Sequence, residues 1–195
     1  MRSTIREAIE TVALAIFLVL VIQAAVQNYR VEGPSMEPRL LTEDRVIVNK
    51  VLYTEIDAHR VARFVPGLTA EEGKVWTPFR GPDRGDVVVF KWPRDPRQNF
   101  VKRIVGLPGD VIRFEQGTLF VNNVPQIEPY IESPARESLV DHVVAANSYY
   151  ALGDNRAQSD DSRHWGDVKR ELIIGKVWVA YWPLDHLAAL FSRPL

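Results

Sequence analysis

The stretch GDVVVFKWPRDPRQNFVKRIV, residues 85–105, contains two segments with the patterns of neighbouring β-strands. The run Val87–Phe90 is apolar at every position, which is typical of a strand buried on both faces. Prolines and charged residues at Trp92–Pro96 end this run, and Asn99–Val105 then resumes a strand pattern. We therefore predict that the stretch contributes two strands to a buried β-sheet.

Lys102 lies within the second of these strands. Because side chains alternate across a strand, Lys102 shares a face with Phe100 and Ile104. Burial between two apolar side chains disfavours the ammonium and lowers the lysine pKa from about 10.4. A neutral lysine can take the proton from a serine hydroxyl, which is otherwise a poor nucleophile. The alternative is an edge strand from which Lys102 extends to water, and the strand pattern leaves both open.

Short strand patterns and turn residues recur along the rest of the chain, without alternation of strands and helices. Further strands are expected at Asp44–Val51, at Ser148–Leu152 and at Ile173–Trp182, with a hairpin formed by Val111–Phe114 and Thr118–Val121. Three regions have weaker patterns: Tyr53–Pro82 is an excursion with a short helical turn at Ala58–Phe64, Pro125–Asn147 is polar without a period, and Leu187–Phe191 is an apolar tail. The predicted fold class is mainly β.

The segment VEGPSMEPRL, Val31–Leu40, places one serine in a constrained turn. Gly33 permits backbone angles closed to other residues, and Pro34 and Pro38 each fix φ near about −65°. A serine held in such a loop, here Ser35, is a candidate nucleophile. Most Gly-Pro-Ser sequences are only turns, so the interpretation depends on the polar residues elsewhere in the chain.

The loop GDNRAQSDDSRHWG, Gly153–Gly166, concentrates hydroxyl, carboxylate and guanidinium groups around a tryptophan. One interpretation is a solvated loop with local Asp and Ser turns. The other is a polar shell around an active site, in which hydroxyls orient a lysine amine and an Asp–Arg pair braces the loop. The four histidines, at positions 59, 142, 164 and 186, match no metal-binding spacing, although spacing alone does not exclude a Ser–His–Asp triad.

The composition narrows the classes of function. The chain has 195 residues, of which 46% are hydrophobic and 25% charged, and these are ordinary values for a globular protein with a packed core. The formal net charge of −1 lacks the excess of positive charge that is typical of nucleic-acid-binding proteins. The absence of cysteine excludes disulfides, thiol nucleophiles and cysteine-ligated metals.

The N-terminal run Thr11–Ile22, TVALAIFLVLVI, is apolar on every face of a helix. It is a candidate for an uncleaved membrane span, for a cleavable secretory signal with Arg2 and Arg6 as its charged region, or for a buried helix of a soluble domain. We favour the span, because no clean small-residue cleavage site follows. The two arginines favour a cytoplasmic N-terminus, and Tyr29 suits the membrane interface.

Four motifs, GPSMEP around Ser35, GDVVVF at 85–90, KRIVGLPGD at 102–110 and the Gly153–Gly166 loop, follow one another in the order found in type I signal peptidases. With its N-terminal apolar helix, nearly the whole chain resembles this family of membrane-anchored serine proteases. The resemblance implies that Ser35 is the nucleophile and Lys102 the general base.

The resemblance also implies supporting roles for residues beside these two. Ser159 matches the serine whose hydroxyl orients the lysine amine, Asp161 and Arg163 match a pair that supports the loop, and Met36 follows the nucleophile. Asp154 and Asn155 belong to the same loop motif with a structural role. Two positions depart from the pattern: Gly33 stands where some members have an oxyanion-binding hydroxyl, and Arg39 where many have threonine. We expect a hole built from backbone N–H groups and little effect at Arg39.

The implied substrates are secretory preproteins with small residues at −1 and −3, cut through an acyl-enzyme without a metal or organic cofactor. The implied architecture is an antiparallel, β-rich catalytic domain at residues 29–195 with a small inserted β lobe at about 113–147. Residues 1–28 form the tail and single transmembrane anchor. We expect a monomer in the cell membrane that contacts the lipid bilayer, with its catalytic domain on the extracytoplasmic side and no nucleic-acid partner.

Two rival functions fit parts of the sequence. Self-cleaving repressors resemble signal peptidases in their catalytic core, but they carry an N-terminal DNA-binding domain where this chain has an apolar helix. A membrane-tethered β module that binds peptides without cutting them is the second rival. The presence of Ser35, Lys102 and Ser159 argues against that module.

Overall fold

In a computed structural model, which describes residues 2–54, 56–57, 59, 63, 75–76, 81–132 and 138–184, antiparallel strands are the main regular structure after residue 25. The strands are β1 (Val26–Arg30), β2 (Arg45–Asn49), β3 (Ile56–Asp57), β4 (Val75–Trp76), β5 (Val87–Trp92), β6 (Asp95–Gly106), β7 (Val111–Glu115), β8 (Thr118–Val121), β9 (Val124–Pro125), β10 (Leu139–Val143), β11 (Ser148–Leu152), β12 (Val168–Lys169) and β13 (Ile173–Trp182). The helices are α1 (Arg2–Ala25) and the single turn α2 (Ser162–Trp165), with 3₁₀ turns at Val51–Tyr53, Arg156–Gln158 and Arg170–Leu172. The predicted mainly β fold class is confirmed.

The principal sheet has seven strands in the order β1-β2-β13-β5-β6-β11-β12. The hairpin β5–β6 forms its centre, and Val88 is paired with Lys102 in its register. The second strand of this hairpin begins at Asp95, four residues before the predicted start at Asn99, because the chain reverses directly after Trp92. The sheet therefore carries Lys102 on a central strand, where a side chain on the core face is buried.

A second sheet has the order β10-β7-β8-β9 and lies, in sequence, between β6 and β11. The predicted hairpin is its centre, and the alternating side chains of β7 and β8 bury one face: Ile112, Phe114, Leu119 and Val121. The strand β10 lies in the region 125–147, where the sequence pattern predicted none. The sheet runs from Val111 to Val143, and its treatment as a separate lobe at about 113–147 stays a prediction.

The helix α1 contains a 21-residue apolar span, Ile5–Ala25, with a mean hydropathy of 2.3 and none of it buried against the rest of the protein. At 1.5 Å per residue this length matches the hydrocarbon core of a bilayer. Its exposure is inconsistent with a buried helix of a soluble domain. Strand β1 follows the helix directly at Val26, so the predicted boundary at residue 28 falls within β1.

The described residues leave some predictions without an outcome. The helical turn predicted at Ala58–Phe64 lies outside them except for residues 59 and 63, and the tail Leu187–Phe191 lies entirely outside them. Of the Tyr53–Pro82 excursion, the structure describes the two ends, the short pair β3–β4 and residues 59 and 63.

Candidate active site

The loop after β1 is fixed by three buried apolar side chains. Val31, Met36 and Leu40 are at most 3% exposed and pack in one core cluster with residues of β2, β5 and β13. The N–H groups of residues 39 and 40 both donate to the Met36 carbonyl, which closes a tight turn. Gly33 has φ of +79°, an angle that side-chain-bearing residues avoid. The loop therefore holds Ser35 between a glycine hinge and a buried methionine.

Lys102, on strand β6, contacts Ser35 in the loop after β1. Its Nζ lies 2.7 Å from Ser35 Oγ and donates to the Val101 carbonyl at 3.0 Å. The ammonium also lies 5.3 Å from the centre of the Phe100 ring. Lys102 is only 4% exposed, so the alternative in which it extends from an edge strand to water is wrong. The structure thus brings the predicted nucleophile and the predicted base into direct contact, 67 residues apart in sequence.

Burial lowers the pKa of Lys102 to about 8, because the low-dielectric surroundings disfavour the ammonium. The carboxylates of Asp161, Asp160 and Asp154 act in the opposite direction and limit the fall in the pKa. At pH 7 about one-tenth of the amine is therefore unprotonated, and this fraction rises with pH. A neutral amine in contact with a hydroxyl can accept its proton.

The loop that follows β11 lies against the backbone of Ser35. The Asn155 N–H donates to the Ser35 carbonyl at 3.1 Å. Beside it, Gly153 has no room for a side chain, because a Cβ there would overlap both the Ser35 carbonyl oxygen and Ser159 Oγ. Asn155 and Gly153 therefore form one wall against which the nucleophile loop rests.

Ser159 Oγ is buried and forms no hydrogen bond of normal geometry with the described residues. Its hydroxyl contributes instead to a lower pKa of the Asp161 carboxyl beside it. No hydrogen bond joins Ser159 to the amine of Lys102 in the described structure, so its predicted role in orienting the lysine stays a prediction.

Asp161 and Arg163 form the predicted pair at the N-terminus of α2. Arg163 Nε and Nη2 donate to the Asp161 carboxylate at 2.8 and 2.9 Å, and the Gly153 N–H donates to it at 3.1 Å. Burial opposes ionisation of Asp161, but these hydrogen bonds outweigh it and lower its pKa. Arg163 also donates to the Arg156 carbonyl at 2.7 Å, so the pair ties both ends of the loop together.

A second buried ion pair was not predicted. Arg103, the neighbour of Lys102 on β6, donates from Nε and Nη2 to the Asp154 carboxylate at 2.8 and 2.7 Å, and both side chains are at most 2% exposed. Burial raises the pKa of Asp154, and the hydrogen bonds and charge of Arg103 offset this in part. The partners lie 51 residues apart in sequence, and no local pattern indicates their contact.

A cleft of about 560 Å³ opens in front of Ser35 and Lys102, between the loop after β1 and strand β6. Its apolar lining includes Val31, Val46, Val89, Val101, Phe100 and Tyr29. Polar residues such as Gln98, Asn99, Gln158 and Asp160 also line it. No histidine lies among these lining residues of the described structure, and His142 pairs with Asp167 at 2.7 Å. The contact partner of Ser35 is thus a lysine, which disfavours the Ser–His–Asp alternative.

In the described part of the chain, no group of three or more His, Asp or Glu side chains is placed to hold a metal ion. The polar groups that line the cleft include the Ser35 hydroxyl and the Lys102 amine, side-chain amides and the Asp160 carboxylate. This donor set suits acyl transfer by side chains.

A serine in contact with a buried amine at the base of a cleft, on a mainly antiparallel β scaffold, defines a candidate Ser–Lys hydrolase. The family model for signal peptidase, peptidase S26, matches residues 5–182. A signal peptidase I of Leptolyngbya laminosa is 34% identical over 98% of this chain and 87% of its own length, and one of Bacillus caldolyticus is 34% identical over 84% of each. A crystal structure of a signal peptidase I from Enterococcus faecalis V583 is 32% identical and covers 51% of this chain and 98% of its own, with a TM-score of 0.44.

The chain belongs to the signal peptidase family, peptidase S26. As a member of this family, it is a serine protease hydrolase that removes signal peptides.

Proposed function

We propose that this signal peptidase cuts its substrates with Ser35 as the nucleophile and Lys102 as the general base, through an acyl-enzyme. The observation that carries the proposal is the 2.7 Å contact between Lys102 Nζ and Ser35 Oγ at a buried site. The lowered pKa of Lys102, about 8, supports a base that is partly neutral at working pH.

In the first half-reaction, Ser35 Oγ attacks the scissile carbonyl carbon while its proton passes to Lys102 Nζ. The tetrahedral intermediate collapses, the C–N bond breaks, and Nζ returns the proton to the leaving amine. In the second half-reaction, water attacks the ester and gives its proton to Nζ. Collapse then releases the signal peptide with a new C-terminal carboxylate, and Ser35 regains its proton.

The negative charge that develops on the substrate oxygen needs hydrogen-bond donors. The Ser35 N–H donates to no acceptor among the described residues, which leaves it available for this oxygen. Gly33 brings no hydroxyl to the position two residues earlier, so we propose a hole made of backbone N–H groups. One such donor is worth about 3 kcal/mol in comparable sites.

The lining of the cleft supports the proposed substrate class. Four valine side chains, at positions 31, 46, 89 and 101, make its walls apolar, which suits a preprotein with small residues at −1 and −3. Strand β11 pairs with β6 only at residues 103–106, so the backbone of Gln98–Lys102 has no strand partner on that edge within the described structure. An extended substrate can add there as a strand, with its main chain hydrogen-bonded to β6.

We also propose that the enzyme is anchored in the membrane by α1. The exposed apolar span of α1 acts as an uncleaved membrane anchor, and Arg6 at its start favours a cytoplasmic N-terminus. The catalytic residues then lie on the extracytoplasmic side. Strand β1 follows the anchor directly, which keeps the cleft near the membrane surface, where a secretory preprotein emerges.

The experiment that tests this proposal compares wild type with Ser35→Ala on a fluorescent peptide that carries an Ala-x-Ala site. We expect Ser35→Ala to bind the peptide with similar affinity in fluorescence anisotropy and to lose all turnover. Substantial cleavage by Ser35→Ala would overturn the assignment of the nucleophile. Binding without turnover by the folded wild type would favour the rival binding module.

A further inference from the structure

We propose that Glu128 is a positioning residue for the nucleophile and acts through Arg156. Glu128 lies outside the motifs that carry the family resemblance, in the segment 126–132 that leaves the second sheet after β9. This segment reaches the loop behind Ser35 and contributes its side chains there. The inference rests on the proposed role of Ser35.

The contact between Glu128 and Arg156 is bidentate and buried. Arg156 Nη1 and Nη2 donate to the two carboxylate oxygens at 2.9 and 2.5 Å, and the two side chains are 0% and 5% exposed. A guanidinium cannot lose its proton in a protein, so a buried one needs a carboxylate partner. Glu128 supplies that partner from the segment after β9, 28 residues away in sequence.

Arg156 transmits this contact to the wall behind the nucleophile. Its Nε donates to the Gly153 carbonyl at 3.1 Å, and its own carbonyl accepts from Arg163 Nη2 at 2.7 Å. Between Gly153 and Arg156 lies Asn155, whose N–H donates to the Ser35 carbonyl at 3.1 Å. The guanidinium thus fixes the turn that supports Ser35 from behind, and Glu128 fixes the guanidinium.

Tyr130 adds a second link from the same segment. Its hydroxyl donates to Glu128 Oε1 at 2.7 Å, and its ring lies 4.1 Å from the guanidinium carbon of Arg103, the neighbour of Lys102. Arg103 is in turn paired with Asp154 in the same loop. The segment 126–132 therefore contacts Arg156, in the loop behind Ser35, and Arg103, the neighbour of Lys102 on β6.

A positioning residue has a kinetic signature that differs from a loss of folding. In Glu128→Gln, the full-length protein in detergent should retain its near-UV circular dichroism. Its kcat should fall by at least about tenfold, because a small displacement of a nucleophile has a large effect on rate. Its KM should change by less than about threefold, since the cleft lining is untouched. The rise of kcat/KM with pH should keep its midpoint at about 8, because Glu128 is not among the charges that act on Lys102.

The matched control is Glu115→Gln, which removes an exposed Glu–Arg pair, with Arg113, from the same sheet. This variant should keep the wild-type kcat. An unchanged kcat in Glu128→Gln would overturn the proposal, and so would a fall in kcat that only follows the folded fraction of the protein. If Glu128→Gln does not fold, Tyr130→Phe, which removes only the hydroxyl donor to Glu128, is judged by the same criteria.

Ser35→Ala, assayed in parallel, separates the two proposals. Activity in Ser35→Ala would remove the nucleophile assignment and the role of Glu128 with it. Loss of activity in Ser35→Ala together with a wild-type kcat in Glu128→Gln would overturn the positioning role alone.

Discussion

At the scale of single residues, burial of Lys102 destabilises the folded protein and also produces the amine needed for the proposed reaction. An ammonium that is 4% exposed on a central strand is poorly solvated, and this is the reason that its pKa falls to about 8. The same fall supplies the neutral amine that the proposed mechanism needs. Active-site groups with strongly displaced pKa values commonly show this coupling.

The pH dependence of the reaction tests this coupling. We expect kcat/KM to rise with pH along a limb with a midpoint at about 8, because deprotonation of Lys102 creates the base. Lys102→Arg should have no measurable turnover at any pH, since a guanidinium does not deprotonate. A limb centred near the ordinary histidine pKa of about 6.5 would point to a histidine base instead.

The stability of Lys102→Met tests how much the buried Lys102 ammonium destabilises the folded protein. The pKa falls from 10.5 to about 8 on folding, so between these values the unfolded chain binds more protons and wild-type stability rises with pH. Below pH 8 the penalty is fully present and amounts to about 3 kcal/mol. Lys102→Met should therefore be inactive and more stable than wild type at pH 7 in urea unfolding, with the gap narrowing towards pH 10. Equal or lower stability at pH 7 would contradict the assigned cost.

At the scale of elements, the buried pair Arg103–Asp154 joins the central strand β6 to the loop after β11. Arg103 also donates to the Gly85 carbonyl at 2.7 Å, at the start of the hairpin. One carboxylate thus connects the strand that carries the amine with the loop that supports the serine.

Asp154→Asn should destabilise the protein strongly, because it leaves the Arg103 charge buried without its partner. The expected loss is about 3–5 kcal/mol in the free energy of unfolding, measured by urea titration. Asp141→Asn, which removes an exposed carboxylate 3.7 Å from Arg113, is the matched control and should have little effect. A small loss in Asp154→Asn would show that the loop is held chiefly by the Asp161–Arg163 pair.

The strands with a continuous apolar run or clear alternation were predictable from the sequence, and strands with mixed character were not. The final strand β13 has the predicted limits, Ile173–Trp182, because apolar residues occupy almost all of it. Strand β10 was missed because its outward side chains, Val140 and Asp141, mix apolar and acidic character and blur the period. Strand β1 was missed because its polar residues Gln27 and Asn28 are exposed at a sheet edge, directly after an apolar helix.

Some residues of the candidate site were likewise predictable from the sequence, and others were not. Ser35, Lys102 and the Asp161–Arg163 pair lie in short motifs that can be recognised locally. The structure brings Ser35 and Lys102 to one cleft and buries the pair in the loop after β11. Arg103 and Glu128 could not be assigned partners, because their contacts join segments that lie 51 and 28 residues apart in sequence. Sequence patterns predict faces of strands, whereas such pairs require the tertiary arrangement.

At the scale of the whole molecule, the anchor and the β-rich part are expected to be separable. None of the apolar span of α1 is buried against the rest of the protein, and strand β1 begins only at Val26. Deletion of residues 1–25 should therefore abolish flotation with lipid vesicles and preserve cleavage of a soluble peptide. The full-length chain in the same vesicles is the control. Vesicle binding by the shortened protein would show that another surface holds the membrane.

The central claim is that a Ser–Lys pair performs the signal-peptide cleavage, and one comparison tests it most directly. The full-length protein in detergent is incubated with a preprotein that carries an Ala-x-Ala site, wild type beside Lys102→Ala, and the products are identified by mass spectrometry. We predict cleavage after the second alanine by wild type and none by Lys102→Ala, with both proteins folded. Equal cleavage by both would retain the protease and contradict the assignment of Lys102 as its base.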